Sequence, residues 1–308
     1  MKFVIVGTGG TGGIIGAYLA QAGNDVTFIA RGRHLEAMRQ KGLIVRTSHR
    51  GDIHIQPVKA CTMEEYQDTP DVMLVCVKFY GIPDAINFAR RTAGPDTLIV
   101  PILNVFGTGE VMQEELPGLT ALDGCVYIFG MIAEPGIVAQ PAPILRLFFG
   151  FREGQDRHLE PLAQELEQVL NAAEIEGHFT EDIRRDALQK FSFVSPLGAA
   201  GVYYDAVCGD FMHPGEQREM FKGLVREIEN LGHAMGLTFA TDLVESNLKL
   251  LDSFTEDLKT SMQRDVAGDG PSEFSGLVHR VVELGQRYQV PVPLYTRISL
   301  WGKEKGIR

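Results

Sequence analysis

Cysteine is scarce in this 308-residue chain: Cys61, Cys76, Cys125 and Cys208 are the only four. None forms a CxxC pair, and no His/Cys cluster has zinc spacing, so neither a disulfide scaffold nor a metal site is expected. Cys76, Cys125 and Cys208 sit in apolar or small-residue stretches and read as core thiols of a reducing compartment. Long apolar runs are also missing: no segment approaches the 18 uncharged residues that a membrane span requires. The first apolar run is broken at once by glycines, so no signal peptide is expected. Basic charge is in deficit, with 29 Lys and Arg against 40 Asp and Glu, a net charge of −11. That balance argues against nucleic acid or an anionic membrane as the general partner; any bound anion must be held by a local basic site. A cytoplasmic protein is expected. Repeats and low-complexity tracts are absent.

What is present is ordinary globular usage, 44% hydrophobic and 22% charged, in a chain long enough for two domains. Apolar runs at Phe3–Val6, Asp25–Ala30, Val72–Val77 and Leu98–Leu103 read as buried strands, with helical spacing between them, as at Ile82–Arg91. Alternating strands and helices predict a doubly wound α/β sheet of Rossmann type. From Gly124 to Gly150 the sequence reads as hairpin-connected strands that extend this sheet, followed by a helix over Leu159–Ala173. Beyond Thr180 nearly everything is helical: Glu181–Phe193, Gln217–Met235, one long stretch over Thr241–Ser261, and Ser272–Tyr288. The predicted organisation is a dinucleotide-binding domain over 1–179 and an all-helical C-terminal domain over 180–308.

Six of the ten residues from Gly7 to Gly16 are glycine, where a helix should begin. Each costs a helix interior about 1 kcal/mol relative to alanine. Gly7-Thr8-Gly9-Gly10-Thr11-Gly12 fits GxGxxG, and it follows a strand and opens a helix, the context that makes this pattern specific. Gly7 suits the tight turn, Gly9 the close approach of a pyrophosphate, and Gly12 the packing of helix on strand. The pyrophosphate would rest on free N–H groups at the positive helix end. The second strand then ends in "FIARGRH", with no acid where an NAD site places Asp or Glu on the ribose hydroxyl. Arg31 and Arg33 stand there instead. They are either ligands of a 2′-phosphate, which favours NADP(H), or a solvated pair in a loop.

Two stretches of the second half carry unusual polar groups. Lys190 precedes an apolar, small-residue run and is, by its residues alone, either a surface side chain or a functional one. Ser261, Asp265 and Glu273 surround a turn, where Asp265 and Ser272 also suit capping roles and Glu273 favours the helix dipole.

Taken together the chain resembles the ketopantoate reductase (2-dehydropantoate 2-reductase) family over essentially its whole length. The resemblance rests on "GTGGTG", Arg31, "VCVKFY" with Lys78, "ILNVFGTGE" with Asn104, the Pro135–Gly150 stretch, "QKF" with Lys190, "TSMQRD" through "SE" with Ser261, Asp265 and Glu273, and the ending "YQVPVPLYTRI". It implies NADPH-dependent reduction of a 2-oxo acid to a D-configured 2-hydroxy acid, foremost 2-dehydropantoate to D-pantoate in pantothenate and coenzyme A biosynthesis. By matching positions it implies Lys190 as general acid, Glu273 as a second essential group, and Ser261 on the substrate carboxylate. Asn104 would position the nicotinamide and the lysine, and Lys78 and Arg31 would join Gly7, Thr8, Gly9, Gly10, Thr11 and Gly12 on the cofactor. The implied partner is a small-molecule substrate, with a homodimer left open. The sequence departs from the family where Val194 and Gly198 replace asparagines four and eight residues after Lys190, and where "NVFG" replaces "NGxG". Ser192 and Ser195 are near but off the register of that face. These departures keep two alternatives open: a more apolar 2-oxo acid as substrate, or an NADP-binding regulatory protein without turnover.

Overall fold

The computed structural model describes residues 1–268 and 270–307. The chain divides into two compact units, residues 1–103 with 107–183, and residues 104–106 with 184 onward. In the first unit, six parallel strands form one sheet in the spatial order Lys59–Cys61, Asp25–Ile29, Lys2–Val6, Val72–Val75, Leu98–Pro101, Thr120–Ala121. Strands covered on both faces need continuous apolar runs, and Val72–Val75 and Leu98–Pro101 are buried at every residue. From Lys2–Val6 the chain winds first to one side and then to the other. The carboxyl end of that strand is therefore the switch point, where open α/β sheets bind ligands.

The strands after Gly124 do not extend this sheet. Met131–Glu134, Ile137–Gln140, Leu43–Thr47 and Ile53–Ile55 build a second sheet, and Asp123–Ile128, Leu145–Gly150 and Glu176–Phe179 a third. The reason is a pairing remote in sequence: Ile137–Gln140 lies parallel to Leu43–Thr47 and turns Val138 towards Gly13 of the first helix. The helix Gly10–Gln21 meets the main sheet through Gly16, at Phe28 and Ile5, and the second sheet through Gly13. It is buried from Gly12 to Leu19 and has no polar face.

The second unit is helical. Ile183–Tyr204 runs eleven residues past the expected end at Phe193, straight through Pro196. Of the stretch expected as one helix over 241–261 only Leu243–Leu251 is helical, and a second helix, Ser261–Ala267, starts where the expected one was to end. Thr260 caps Ser261–Ala267: its hydroxyl accepts from Gln263 N–H at 3.3 Å, and the Gln263 side chain accepts from Thr260 N–H at 2.9 Å. The stretch expected as helix over 272–288 opens with a π turn at Ser275–His279 before Arg280–Tyr288. A further helix, Pro293–Glu304, ends the unit; the buried Glu227 carboxylate accepts from Leu294 and Tyr295 N–H at 2.7 and 3.0 Å at its start.

None of the four cysteines forms a disulfide. Cys125 and Cys208 are buried, Cys61 and Cys76 partly so, and burial pushes the Cys208 thiol up to about 11. Among the described residues no helix is long and apolar enough to cross a membrane.

Candidate active site

In the first unit, the glycine loop leaves the strand Lys2–Val6 at the switch point. Gly7 has φ +100°, and a Cβ there would also lie 2.9 Å from Val77 Cγ1. At Gly12 a Cβ would strike the Gly7 carbonyl and approach Cys76 Cβ to 3.0 Å. Gly10 is required by a different neighbour, since its Cβ would collide with the Gly130 backbone. Gly9 is the exception. It has φ −86°, and a Cβ at Gly9 meets nothing within 4 Å, so open space faces it at the cap of the helix. The first-turn amides of such a helix have no intrahelical acceptors. Here they belong to Gly10, Thr11 and Gly12, with no acid in that turn. Thr8 acts elsewhere: its N–H and its hydroxyl both donate to the Ile29 carbonyl at 3.0 Å, fastening the loop to the end of the second strand.

Two residues further on, Arg31 stands at the N-cap position of the helix Gly32–Lys41, and Arg31 and Arg33 are both exposed. That helix has no acid in its first turn. Two guanidiniums at the positive end of a helix repel its dipole unless an anion joins them. These features fit a dinucleotide, with its pyrophosphate on the first helix. His34, in the same turn, accepts from Gly136 N–H through Nδ1 at 3.0 Å. Burial holds its pKa below the ordinary 6.5. The unfolded chain therefore binds a proton first as pH falls, and the contribution of a neutral His34 is full above 6.5 and lost as pH drops through the window below it. Burial lowers His279 as well. The melting temperature is expected to fall between pH 7 and pH 5, and His34→Asn, whose amide oxygen can replace Nδ1 as acceptor, should flatten that fall. An unchanged slope in thermal scans would show that His34 does not contribute. Lys78, the remaining cofactor candidate of this unit, precedes the short turn Phe79–Gly81 after the strand Val72–Val75.

In the second unit, Lys190 is no surface side chain. It is 7% exposed, and its Nζ donates to Asn104 Oδ1 at 2.7 Å. Asn104 belongs to this unit through its segment, in which Phe106 packs on Phe191 with ring centroids 6.2 Å apart. The family positions expected for Lys190 and Asn104 thus come together. Glu273 is 2% exposed, just before the π turn, and Ser261 is the first residue of its short helix, partly buried. The Ser272 hydroxyl accepts from Phe274 N–H, two residues on, at 3.2 Å, ahead of the π turn rather than as the cap expected of it.

Sequence reasoning missed the fastening between these elements. Ser195, fully buried, donates to the Leu277 carbonyl at 2.6 Å and pairs with Tyr295 OH at 2.6 Å, tying the Lys190 helix to the π turn after Glu273. Its signal was a serine within an apolar run. At Gly198 a Cβ would stand 2.9 Å from Cε of buried Met262, the flexible end of that side chain.

A glycine loop at a switch point and a buried lysine paired with an asparagine define a pyridine-nucleotide-dependent oxidoreductase. The comparisons with known proteins agree. The family model described as "Ketopantoate reductase PanE/ApbA" matches residues 3–153, and that of its C-terminal part residues 182–300. The chain belongs to the ketopantoate reductase family. It is 25% identical to the "Uncharacterized oxidoreductase YkpB" of Bacillus subtilis over 99% of this chain and 100% of that one. It is also 25% identical to the 2-dehydropantoate 2-reductase of Pyrococcus horikoshii, over 99% and 97% of the two chains. Among solved structures, a D-mandelate dehydrogenase with NADH and anilino(oxo)acetate shares the fold at TM-score 0.85 and 18% identity, over 97% of this chain and 96% of that one.

Proposed function

We propose that this protein reduces a 2-oxo acid to the 2-hydroxy acid with NADPH, with 2-dehydropantoate as the leading substrate. The observation that carries the reading is the buried Lys190 ammonium donating to Asn104 at 2.7 Å. An ammonium buried in this way, in an oxidoreductase of this family, suits a group that must meet negative charge developing on an oxygen. When bound, the cofactor supplies the hydride. Lys190 donates a hydrogen bond to the ketone oxygen and passes it a proton as charge builds there. Asn104 holds the ammonium in one direction by accepting one of its three protons. Glu273 keeps the local charge balance in favour of a protonated lysine. Ser261 donates its hydroxyl to the substrate carboxylate. In the first unit, the amides of Gly10, Thr11 and Gly12 hold the pyrophosphate, Gly9 leaves it room, and Arg31 holds the 2′-phosphate, with Lys78 on the cofactor as well. Four cysteines outside any disulfide support a reducing, cytoplasmic setting.

The preference for NADPH has its own test. NADPH should bind at least tenfold more tightly than NADH, and Arg31→Ala should remove most of the difference. One charge-assisted contact of about 1.5–3 kcal/mol suffices for that factor. Equal affinities in calorimetry would defeat this part of the reading.

One observation favours a second reading of the substrate. On the face that continues Lys190, Val194 is apolar, and Met262 occupies the space beside Gly198. A face of that kind suits a 2-oxo acid with an apolar side chain. NADPH oxidation measured against a panel of 2-oxo acids, 2-dehydropantoate among them, decides between the readings. No turnover on any member would defeat both.

A further inference from the structure

We propose that Asn247 is a positioning residue for Lys190, acting by supplying the backbone donor that Pro196 withholds from the Lys190 helix. The inference rests on the reading of Lys190 as proton donor. Pro196 lies inside the helix Ile183–Tyr204 and has no N–H to give. The carbonyl that such an N–H would serve, four residues back, is that of Ser192, and the proline ring also crowds it. Ser192 is fully buried, so water does not reach its carbonyl. Asn247 supplies the missing donor from another helix. Its side chain is buried, and Nδ2 donates to the Ser192 carbonyl at 2.9 Å and to the Ser192 hydroxyl at 2.9 Å.

The hydroxyl passes the constraint on. Ser192 Oγ donates to the Gln189 carbonyl at 2.7 Å, the peptide group that joins Gln189 to Lys190. Lys190 is thus fixed at its tip by Asn104 and at its root by Asn247 through Ser192. The anchor is itself fixed. Asn247 sits in Leu243–Leu251, whose first amide donates to Glu229 at 3.0 Å and whose cap Asp242 accepts from Glu245 N–H at 3.0 Å. A proton donor displaced by a fraction of an ångström loses much of its effect, so the root of the side chain matters as well as its tip.

The test exploits the origin of the need. In Asn247→Ala the Ser192 carbonyl loses its donor, and kcat should fall by roughly tenfold or more, with KM and the dissociation constant for NADPH within about twofold of the parent. Pro196→Ala restores an N–H four residues beyond Ser192. Alone it should be near the parent; combined with Asn247→Ala it should recover most of the lost kcat. Asn247→Ser, which keeps a hydroxyl donor in a smaller side chain, should fall between parent and alanine variant, and carries the test if Asn247→Ala does not fold. A readout independent of turnover is acetylation of Lys190 by limiting acetic anhydride, measured by peptide mass spectrometry against exposed Lys249, in the free and NADPH-loaded protein. Lys190 labelling should rise about threefold or more in Asn247→Ala and return in the double variant. A double variant as impaired and as reactive as Asn247→Ala, or a loss shared by KM and NADPH affinity, overturns the proposal. If the parent reduces no 2-oxo acid, the functional reading fails, and the labelling comparison still decides whether Asn247 holds Lys190.

Discussion

Lys190→Ala is expected to lower kcat by about 10²–10⁴-fold, the usual worth of a positioned proton donor, equivalent to about 3–5.5 kcal/mol of barrier. The affinity for NADPH should change little, because the residues proposed to hold its phosphates, Gly10 to Gly12 and Arg31, lie in the other unit. That division between a lost kcat and a retained dissociation constant separates a proton donor from a structural lysine. The alternative explanation is that removing Lys190 leaves Asn104 without its 2.7 Å donor and disturbs the packing of Phe106 on Phe191. Such damage would appear as a lower melting temperature, so thermal scans accompany the kinetics. Glu273→Ala should also slow turnover, and the double variant should be less than additive if the two residues act as one unit. A Lys190→Ala protein with near-normal turnover on its best substrate would remove the centre of the proposed mechanism.

Gly9→Val should cost roughly 100-fold or more in NADPH affinity while leaving the protein folded. Gly9 has a negative φ of −86° on extended backbone, not the left-handed region that demands glycine, and its missing side chain points into open space. The valine would fill the room left for the pyrophosphate and separate it from the helix amides. Losing two charge-assisted hydrogen bonds, about 3 kcal/mol together, accounts for that factor. Gly12→Val supplies the contrast, because its Cβ would run into the Gly7 carbonyl and destabilise the loop itself. A folded Gly9→Val protein that titrates with NADPH like the parent would reduce the glycine loop to a structural turn.

The two glycines also show how far the sequence could be read. GxGxxG marked the loop and its place at the end of a strand. It could not say that Gly10 answers to Gly130, or Gly16 to Phe28, because those neighbours arrive from other strands. The main sheet was legible because its central strands are continuous apolar runs. The second sheet was not, because Ile137 pairs with Ile44 across more than ninety residues, and no local pattern records such a choice. In the helical unit the break after Leu251 was legible in principle. Thr260 and Gln263 have the spacing of a capping box, which marks where the next helix starts. Pro196 carried a signal of another kind. A proline in a helix announces an unserved carbonyl, but only the structure tells which side chain serves it. For the candidate site, Lys190 and Asn104 were named from the family pattern, and their contact at 2.7 Å joins residues 86 positions apart.

The segment Asn104–Phe106 belongs to the helical unit although it is made long before the rest of it. On a ribosome adding about 5–20 residues each second, Asn104 and Phe106 would wait about 4–16 seconds for Arg184 and the Lys190 helix to emerge. During that interval the strands on either side of the segment can pair, while Phe106 has neither Phe191 nor Arg184 to pack against. The helical unit is therefore not a cassette that can be cut from the chain. A fragment starting at residue 184 would be synthesised without the asparagine that receives its lysine, and a transplant of this unit into another dinucleotide-binding protein must also graft the three residues 104–106 into the host's sheet domain.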